Sequence, residues 1–179
     1  MSKKILIISS SPRKGGNSDI LCDQFMQGAQ EAGKSAEKIY VKDKKINFCT
    51  GCGACQTNKG KCSQRDDMEE ILEKMVAADV IVLATPVYFY SICAQLKVLI
   101  DRVCPRYTEL TNKKAYLIAT AADSSKSALD GTIAGFRGFL DCLTNVEESG
   151  IISGTSLYEF GAAKGKPIMK LAYDMGKAC

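Results

Sequence analysis

Ten residues near the start of the chain, Ser9-Ser10-Ser11-Pro12-Arg13-Lys14-Gly15-Gly16-Asn17-Ser18, combine hydroxyls, cations and glycines in a pattern suited to holding an anion. Hydroxyls and cations bond anionic oxygens, and glycines let the backbone come close. The free N–H groups that open a helix add roughly half a unit of positive charge. The loop follows the apolar strand Lys4-Ile5-Leu6-Ile7-Ile8 and opens a helix that repeats Leu21, Phe25, Ala29 and Ala32 before stopping at Gly33. It has neither the Gly-Lys-Ser/Thr ending of an NTPase loop nor the G-x-G-x-x-G spacing of dinucleotide folds, so a single monophosphate is the expected ligand. The alternative is a tight strand-to-helix turn that binds nothing, but Arg13 and Asn17 have no turn-making duty there.

A second cluster is Cys49-Thr50-Gly51-Cys52-Gly53-Ala54-Cys55, followed after six residues by Cys62. Three cysteines at successive three-residue spacing can reach three corners of one cubane, with the fourth arriving from farther along. Three readings stand side by side: a [4Fe-4S] cluster, a four-thiolate zinc site, and metal-free thiols that pack the loop. Cys22, Cys93, Cys104 and Cys142 lie singly in helical patterns and read as inert, buried side chains. Cys179 is the last residue, too late for a prenylation signal.

Positioning these residues falls to an alternation of strand-like and helix-like segments, the pattern of a parallel sheet with helices on both faces. Ala36–Val41 reads as the second strand. Asp66, with Glu69 three residues on, starts a helix whose Met68, Ile71, Leu72, Met75 and Val76 share a face. The continuously apolar Val80–Ala84 reads as a central strand, closed by a polar break at Thr85-Pro86. Ser91 then caps a helix that turns Leu96, Leu99, Ile100 and Val103 inward. The fourth strand is Ala115–Ala119, and its helix groups Leu129, Ile133, Phe136, Leu140 and Leu143. Ile151-Ile152, between Gly150 and Gly154, is the fifth strand. A final helix from Pro167 buries Ile168, Leu171, Ala172 and Met175.

Five such βα units predict a flavodoxin-like three-layer sandwich with a five-stranded parallel sheet of order 2-1-3-4-5, and a ligand beyond the carboxyl ends of strands one and three. There the loop Thr85-Pro86-Val87-Tyr88-Phe89-Tyr90-Ser91 brings three aromatics, whose planar faces stack on heterocycles or else pack a loop or a partner subunit. Residues 1–179 are expected to form one domain, with the cysteine-rich loop at 49–65.

Composition narrows the chemistry. The chain has 179 residues and no histidine, which excludes a Ser-His-Asp triad, a Cys-His dyad and any His-ligated zinc. A net charge of +4, without a run of five cations, does not point to nucleic acid. Nine cysteines without an export signal or membrane span imply reduced thiols or metal ligands in a cytoplasmic protein.

Ser10 to Ser18, then Thr85-Pro86-Val87-Tyr88-Phe89 and Ser91, and Ala94-Gln95-Leu96-Lys97 to Ile100-Asp101-Arg102 together resemble the flavodoxin-fold NAD(P)H-dependent FMN reductases over nearly the whole chain. The resemblance implies that Ser11, Arg13, Asn17 and Ser18 hold the FMN phosphate. It also implies that Pro86, Val87, Tyr88 and Phe89, with Ala121 and Ala122 of the loop after strand four, line the isoalloxazine ring. Tyr90 stands where the family usually has glycine, and Thr120-Ala121-Ala122-Asp123 replaces a loop that often carries glycines. The compact cysteine spacing is similar to that of the iron-sulfur flavoproteins, which implies Cys49, Cys52, Cys55 and Cys62 as ligands of a [4Fe-4S] cluster near FMN.

The implied activity is an FMN-dependent oxidoreductase that takes a hydride from NAD(P)H and passes electrons to a quinone, a flavin or a similar small molecule. It needs no side-chain acid or base, and the expected assembly is a homodimer or homotetramer. The alternatives are an electron-transfer protein fed by ferredoxin through the cluster, and a redox-sensing module with a vestigial flavin site.

Overall fold

The computed structural model describes residues 2–179. The chain runs β1 (Lys4–Ser9), α1 (Asn17–Glu31), β2 (Ser35–Tyr40), α2 (Ala54–Thr57), α3 (Met68–Ala77), β3 (Val80–Tyr88), β4 (Ser91–Ile92), α4 (Ala94–Asp101), β5 (Lys113–Thr120), α5 (Asp130–Leu140), β6 (Val146–Gly154) and α6 (Pro167–Ala178). Five strands are parallel in the order β2-β1-β3-β5-β6. That is the expected flavodoxin-like order, with one addition: the two-residue β4 pairs antiparallel with β3.

Alternation along the strands divides the core in two. Leu6, Ile8, Ile81 and Leu83 face α3, α4 and α5, whereas Ile5, Ile7, Val80 and Val82 face α1 and α6. This double coverage explains the unbroken apolar run of β3. α1 and α6 cross closely enough to require glycine. A Cβ at Gly28 would lie 2.1 Å from the Tyr173 carbonyl oxygen, and one at Gly176 would lie 2.0 Å from that of Phe25. Among the described residues no helix is long and apolar enough to cross a membrane.

Several local expectations change. β3 does not stop at Thr85-Pro86: Thr85 and Pro86 pair with Ala119 and Thr120, and the strand continues to Tyr88. Ser91 pairs with Tyr88 instead of capping a helix; α4 starts at Ala94 with Cys93 before it. Leu171 is 42% exposed, and α6 buries Ala172 and Gly176 in its place. Ala32 lies exposed just past the end of α1. Cys22 and Cys93 are buried as expected, but Cys104 and Cys142 are exposed.

Candidate functional site

The carboxyl ends of β1, β3 and β5 meet at a pocket of about 180 Å³. Ser11, Arg13, Asn17, Ser18, Pro86, Val87, Tyr88 and Ala122 all line it. Phe89 and Ala121 do not: Phe89 is 100% exposed, and buried Ala121 donates its N–H to the Gly154 carbonyl and accepts from Leu157 N–H.

The loop after β1 is held from inside. Ser10 donates from both N–H and Oγ to the Ala84 carbonyl, at 3.0 and 2.6 Å, and its Oγ lies 3.2 Å from Cys93 Sγ. These contacts fix the first loop against the start of α4. Buried Asp19 accepts from Gly15 N–H at 2.8 Å and Ser9 Oγ at 3.1 Å, and it pairs with Lys38 at 2.9 Å. A Cβ at Gly16 would sit 2.9 Å from the Arg13 carbonyl oxygen and 3.3 Å from Ser11 Oγ, so the cradle closes only around glycine. No side chain caps α1 among the described residues. Its first N–H groups, which like those of any helix have no intrahelical acceptor, are thus left without a side-chain acceptor and carry the positive end of the helix dipole. Arg13 is exposed at the rim.

Asn17 has a different job from the one its place in the loop suggests. Its Nδ2 donates to the carbonyls of Leu157 and Glu159, both at 2.9 Å, and its Oδ1 accepts from Ala163 N–H at 3.0 Å. The side chain is fully used in tying down the segment after β6, and this leaves its backbone N–H for the pocket. That segment adds Leu157, Tyr158 and Phe160 to the lining.

Tyr88 to Ser91 form a hairpin between β3 and β4. Phe89 and Tyr90, the two turn residues, have φ of +49° and +60°. A two-residue turn with both centres left-handed is the type I′ form, whose usual occupants are Asn and Gly. Non-glycine residues there cost about 1–3 kcal/mol each. The Tyr90 hydroxyl donates to Asp123 Oδ2 at 3.2 Å, tying the hairpin to the loop after β5.

The cysteine loop lines a separate pocket of about 130 Å³ that includes Cys49, Cys52, Cys55 and Cys62 and also Cys104. Its base is the buried Arg102–Asp66 pair, bonded at 2.7 and 2.9 Å. Arg102 also donates to the Asn47 carbonyl at 2.7 Å, and its Nη2 lies 3.7 Å from Cys62 Sγ. Arg102 Nε is buried without a partner among the described residues. Cys52 Sγ is 3.5 Å from Ser63 Oγ; that hydrogen bond and the Ala54 N–H lower its pKa. Burial, followed by its contact with Cys55 and the nearby Cys49 and Cys62, raises that of Cys104. Among the described residues no three Cys, Asp or Glu side chains are grouped to hold a single metal ion, so the thiols share a pocket without converging on a point.

The sequence model of the family described as NADPH-dependent FMN reductase matches residues 3–155. The chain belongs to that family. It is similar to an iron-sulfur flavoprotein of Archaeoglobus fulgidus, 42% identical over 113 residues, which cover 63% of this chain and 51% of that protein. A second relative, an iron-sulfur flavoprotein of Methanocaldococcus jannaschii, is 40% identical over 138 residues, 76% of this chain and 70% of its own. The chain thus spans about half the length of the first relative. Among solved structures, an NAD(P)H:quinone oxidoreductase from Methanothermobacter marburgensis superposes with a TM-score of 0.68 at 18% identity, covering 99% of this chain and 96% of that one. At that identity the likeness speaks to the fold.

For this member of the FMN reductase family, sequence reasoning passed over four lining residues, Thr120, Leu157, Tyr158 and Phe160, and two residues of the cysteine pocket, Arg102 and Cys104. Tyr158 and Phe160 left a signal: two aromatics in a loop at the carboxyl end of a strand. Arg102 left another, a cation at the end of an apolar helix. Cys104 left none, because only the packing of the turn after α4 against α2 puts it beside the other thiols.

Proposed function

We propose that this chain binds FMN, with the phosphate on the loop after β1 and the ring against Pro86, Val87 and Tyr88, and acts as an FMN-dependent oxidoreductase using NAD(P)H. The observation that carries the reading is the uncapped N-terminus of α1 opening into the same pocket as those ring-lining residues. The donor set fits a phosphate monoester: the hydroxyls of Ser11 and Ser18, the N–H groups of Asn17 and Ser18, and the Arg13 guanidinium at the rim. Bound FMN supplies hydride acceptance and electron release, chemistry that no side chain here provides. The protein orients the cofactor: Ser10 and Cys93 hold the two loops together, Asp19 fixes the phosphate loop, and Asn17 keeps the Leu157–Phe160 wall in place.

The pocket, at about 180 Å³, is smaller than the roughly 300–1,000 Å³ of most ligand sites. Fully exposed Phe89 stands next to it in the chain. Both features support a homodimer or homotetramer in which a second copy completes the ring pocket, with a quinone, free flavin or similar small molecule as acceptor. Titration of apoprotein with FMN and FAD, monitored by flavin fluorescence, tests the binding. Strong FMN and weak FAD binding is the expected outcome, and equal affinity overturns the reading.

A second reading rests on the thiol pocket with Arg102 at its base, supported by relatives named iron-sulfur flavoproteins. In it Cys49, Cys52, Cys55 and Cys62 hold a [4Fe-4S] cluster that links a ferredoxin-like donor to FMN. Steady-state NAD(P)H oxidation supports the first reading. Flavin reduction by a protein donor alone supports the second.

A further inference from the structure

Cys104 opens the 3₁₀ turn Cys104–Glu109 that follows α4, and its Sγ lies 3.9 Å from the Sγ of Cys55 on α2. The two backbones are held together. Gly60 N–H donates to the Cys55 carbonyl at 3.1 Å, and Gly60, with φ of +74°, packs so tightly that an added Cβ would be 2.8 Å from the Pro105 carbonyl oxygen. Cys55 is half-buried and Cys104 exposed, so solutes reach both. A disulfide needs its sulfurs about 2 Å apart. The 3.9 Å separation leaves about 2 Å for the two side chains to close.

We propose that Cys55 and Cys104 form a redox-active dithiol pair, oxidised by peroxide to an intramolecular disulfide whenever Cys55 is not a metal ligand. One thiolate attacks an oxygen of hydrogen peroxide, breaking the O–O bond and giving a sulfenic acid and hydroxide. The other thiolate attacks the sulfenic sulfur and expels a second hydroxide. The two hydroxides take the protons of the original thiols. In sum two thiols lose two electrons and two protons, and one peroxide becomes two waters. A dithiol reductant reverses the change. Cys55 thus has two exclusive states, a free or metal-bound thiolate and a disulfide that ties the cysteine loop to the end of α4. The pair does not depend on FMN.

The test uses the full chain, reduced, treated with a chelator, desalted and exposed to one equivalent of hydrogen peroxide. It is then alkylated, digested and mapped by mass spectrometry. The expected product is a Cys55–Cys104 linked peptide with two fewer free thiols per chain, reversed by dithiothreitol. The link is lost in Cys104→Ser and Cys55→Ser and retained in Cys142→Ser. Cys55 linked to Cys49, Cys52 or Cys62 with Cys104 alkylated overturns the proposal, as does the absence of any disulfide. If a variant fails to fold, the wild-type map decides alone. FMN titration of the same sample is scored separately: a disulfide without FMN binding sinks only the flavin reading, and FMN binding without the disulfide sinks only this one.

Discussion

Asn17 Nδ2 donates to the Leu157 carbonyl at 2.9 Å, a hydrogen bond that spans 140 residues of sequence and joins the loop after β1 to the Leu157–Phe160 wall of the same pocket. The Asn17 side chain makes two further bonds to the same segment, to Glu159 and Ala163. Asn17→Ala would leave a buried N–H and two carbonyls unsatisfied, at about 1–3 kcal/mol for a buried unpaired group. Urea unfolding should report a loss of about 2–4 kcal/mol. Flavin titration should show weakened FMN binding as Tyr158 and Phe160 come free. Unchanged stability would remove Asn17 from its structural role.

Arg13 is exposed, so its contact with a phosphate falls at the weak end for charge-assisted bonds, about 1.5 kcal/mol or roughly tenfold in affinity. Arg13→Ala should raise the FMN dissociation constant by that factor and reduce its salt dependence. A constant that does not move places the phosphate elsewhere.

Tyr90 occupies the second left-handed position of the hairpin turn, where glycine carries no steric cost. Tyr90→Gly relieves that strain but frees the unfolded chain and loses the hydroxyl bond to Asp123. The expected balance is a gain of about 0.5–1 kcal/mol in chemical denaturation. A clear loss would mean that the Asp123 contact outweighs the strain.

Burial pushes the Asp66 carboxyl up, but its bonds to Arg102, the N–H groups of Asn47 and Met68, and the Arg102 charge outweigh this and hold it below the usual carboxylate range. A carboxylate depressed on folding contributes stability that is present above the unfolded value of about 3.9 and is lost as pH falls through the folded value. Wild-type protein should therefore lose stability progressively below about pH 4. Asp66→Asn should be about 3–5 kcal/mol less stable at pH 7, since it leaves Arg102 buried without its counter-charge. The variant should also show a flatter acid limb in urea unfolding across pH; an unaltered acid limb would assign the acid sensitivity to other carboxyls.

Among the described residues, the cysteine pocket and the pocket at the carboxyl ends of β1, β3 and β5 share no lining residue. If Cys49, Cys52, Cys55 and Cys62 ligate a [4Fe-4S] cluster, anaerobically purified protein should carry about four irons and four sulfides per chain. Cys52→Ser should then lose the cluster while FMN stays bound. Background iron in both proteins would leave the loop structural, and zinc in place of iron would exclude the electron-transfer reading without touching the flavin chemistry.

Sequence alone determined the layered α/β fold. The alternation of Leu6 and Ile8 against Ile5 and Ile7, the unbroken Val80–Ala84 run and the three- and four-residue steps of the helices are local statements of which faces are buried, and five βα units of that kind fit the flavodoxin-like strand order that the sheet adopts. It also singled out the loop after β1 and the stretch Pro86 to Tyr88, which the fold brings to one pocket, because glycines and hydroxyls at the end of an apolar strand stand out by their types. Only tertiary structure decided that Thr85-Pro86 extends a strand, since the pairing partners Ala119 and Thr120 come from another βα unit. It likewise turned Asn17 toward residues 157–163 and set Cys104 beside Cys55, contacts between segments 49 to 146 residues apart in sequence. Such contacts depend on how helices and loops pack across the sheet edge, and no local pattern of residue types encodes that.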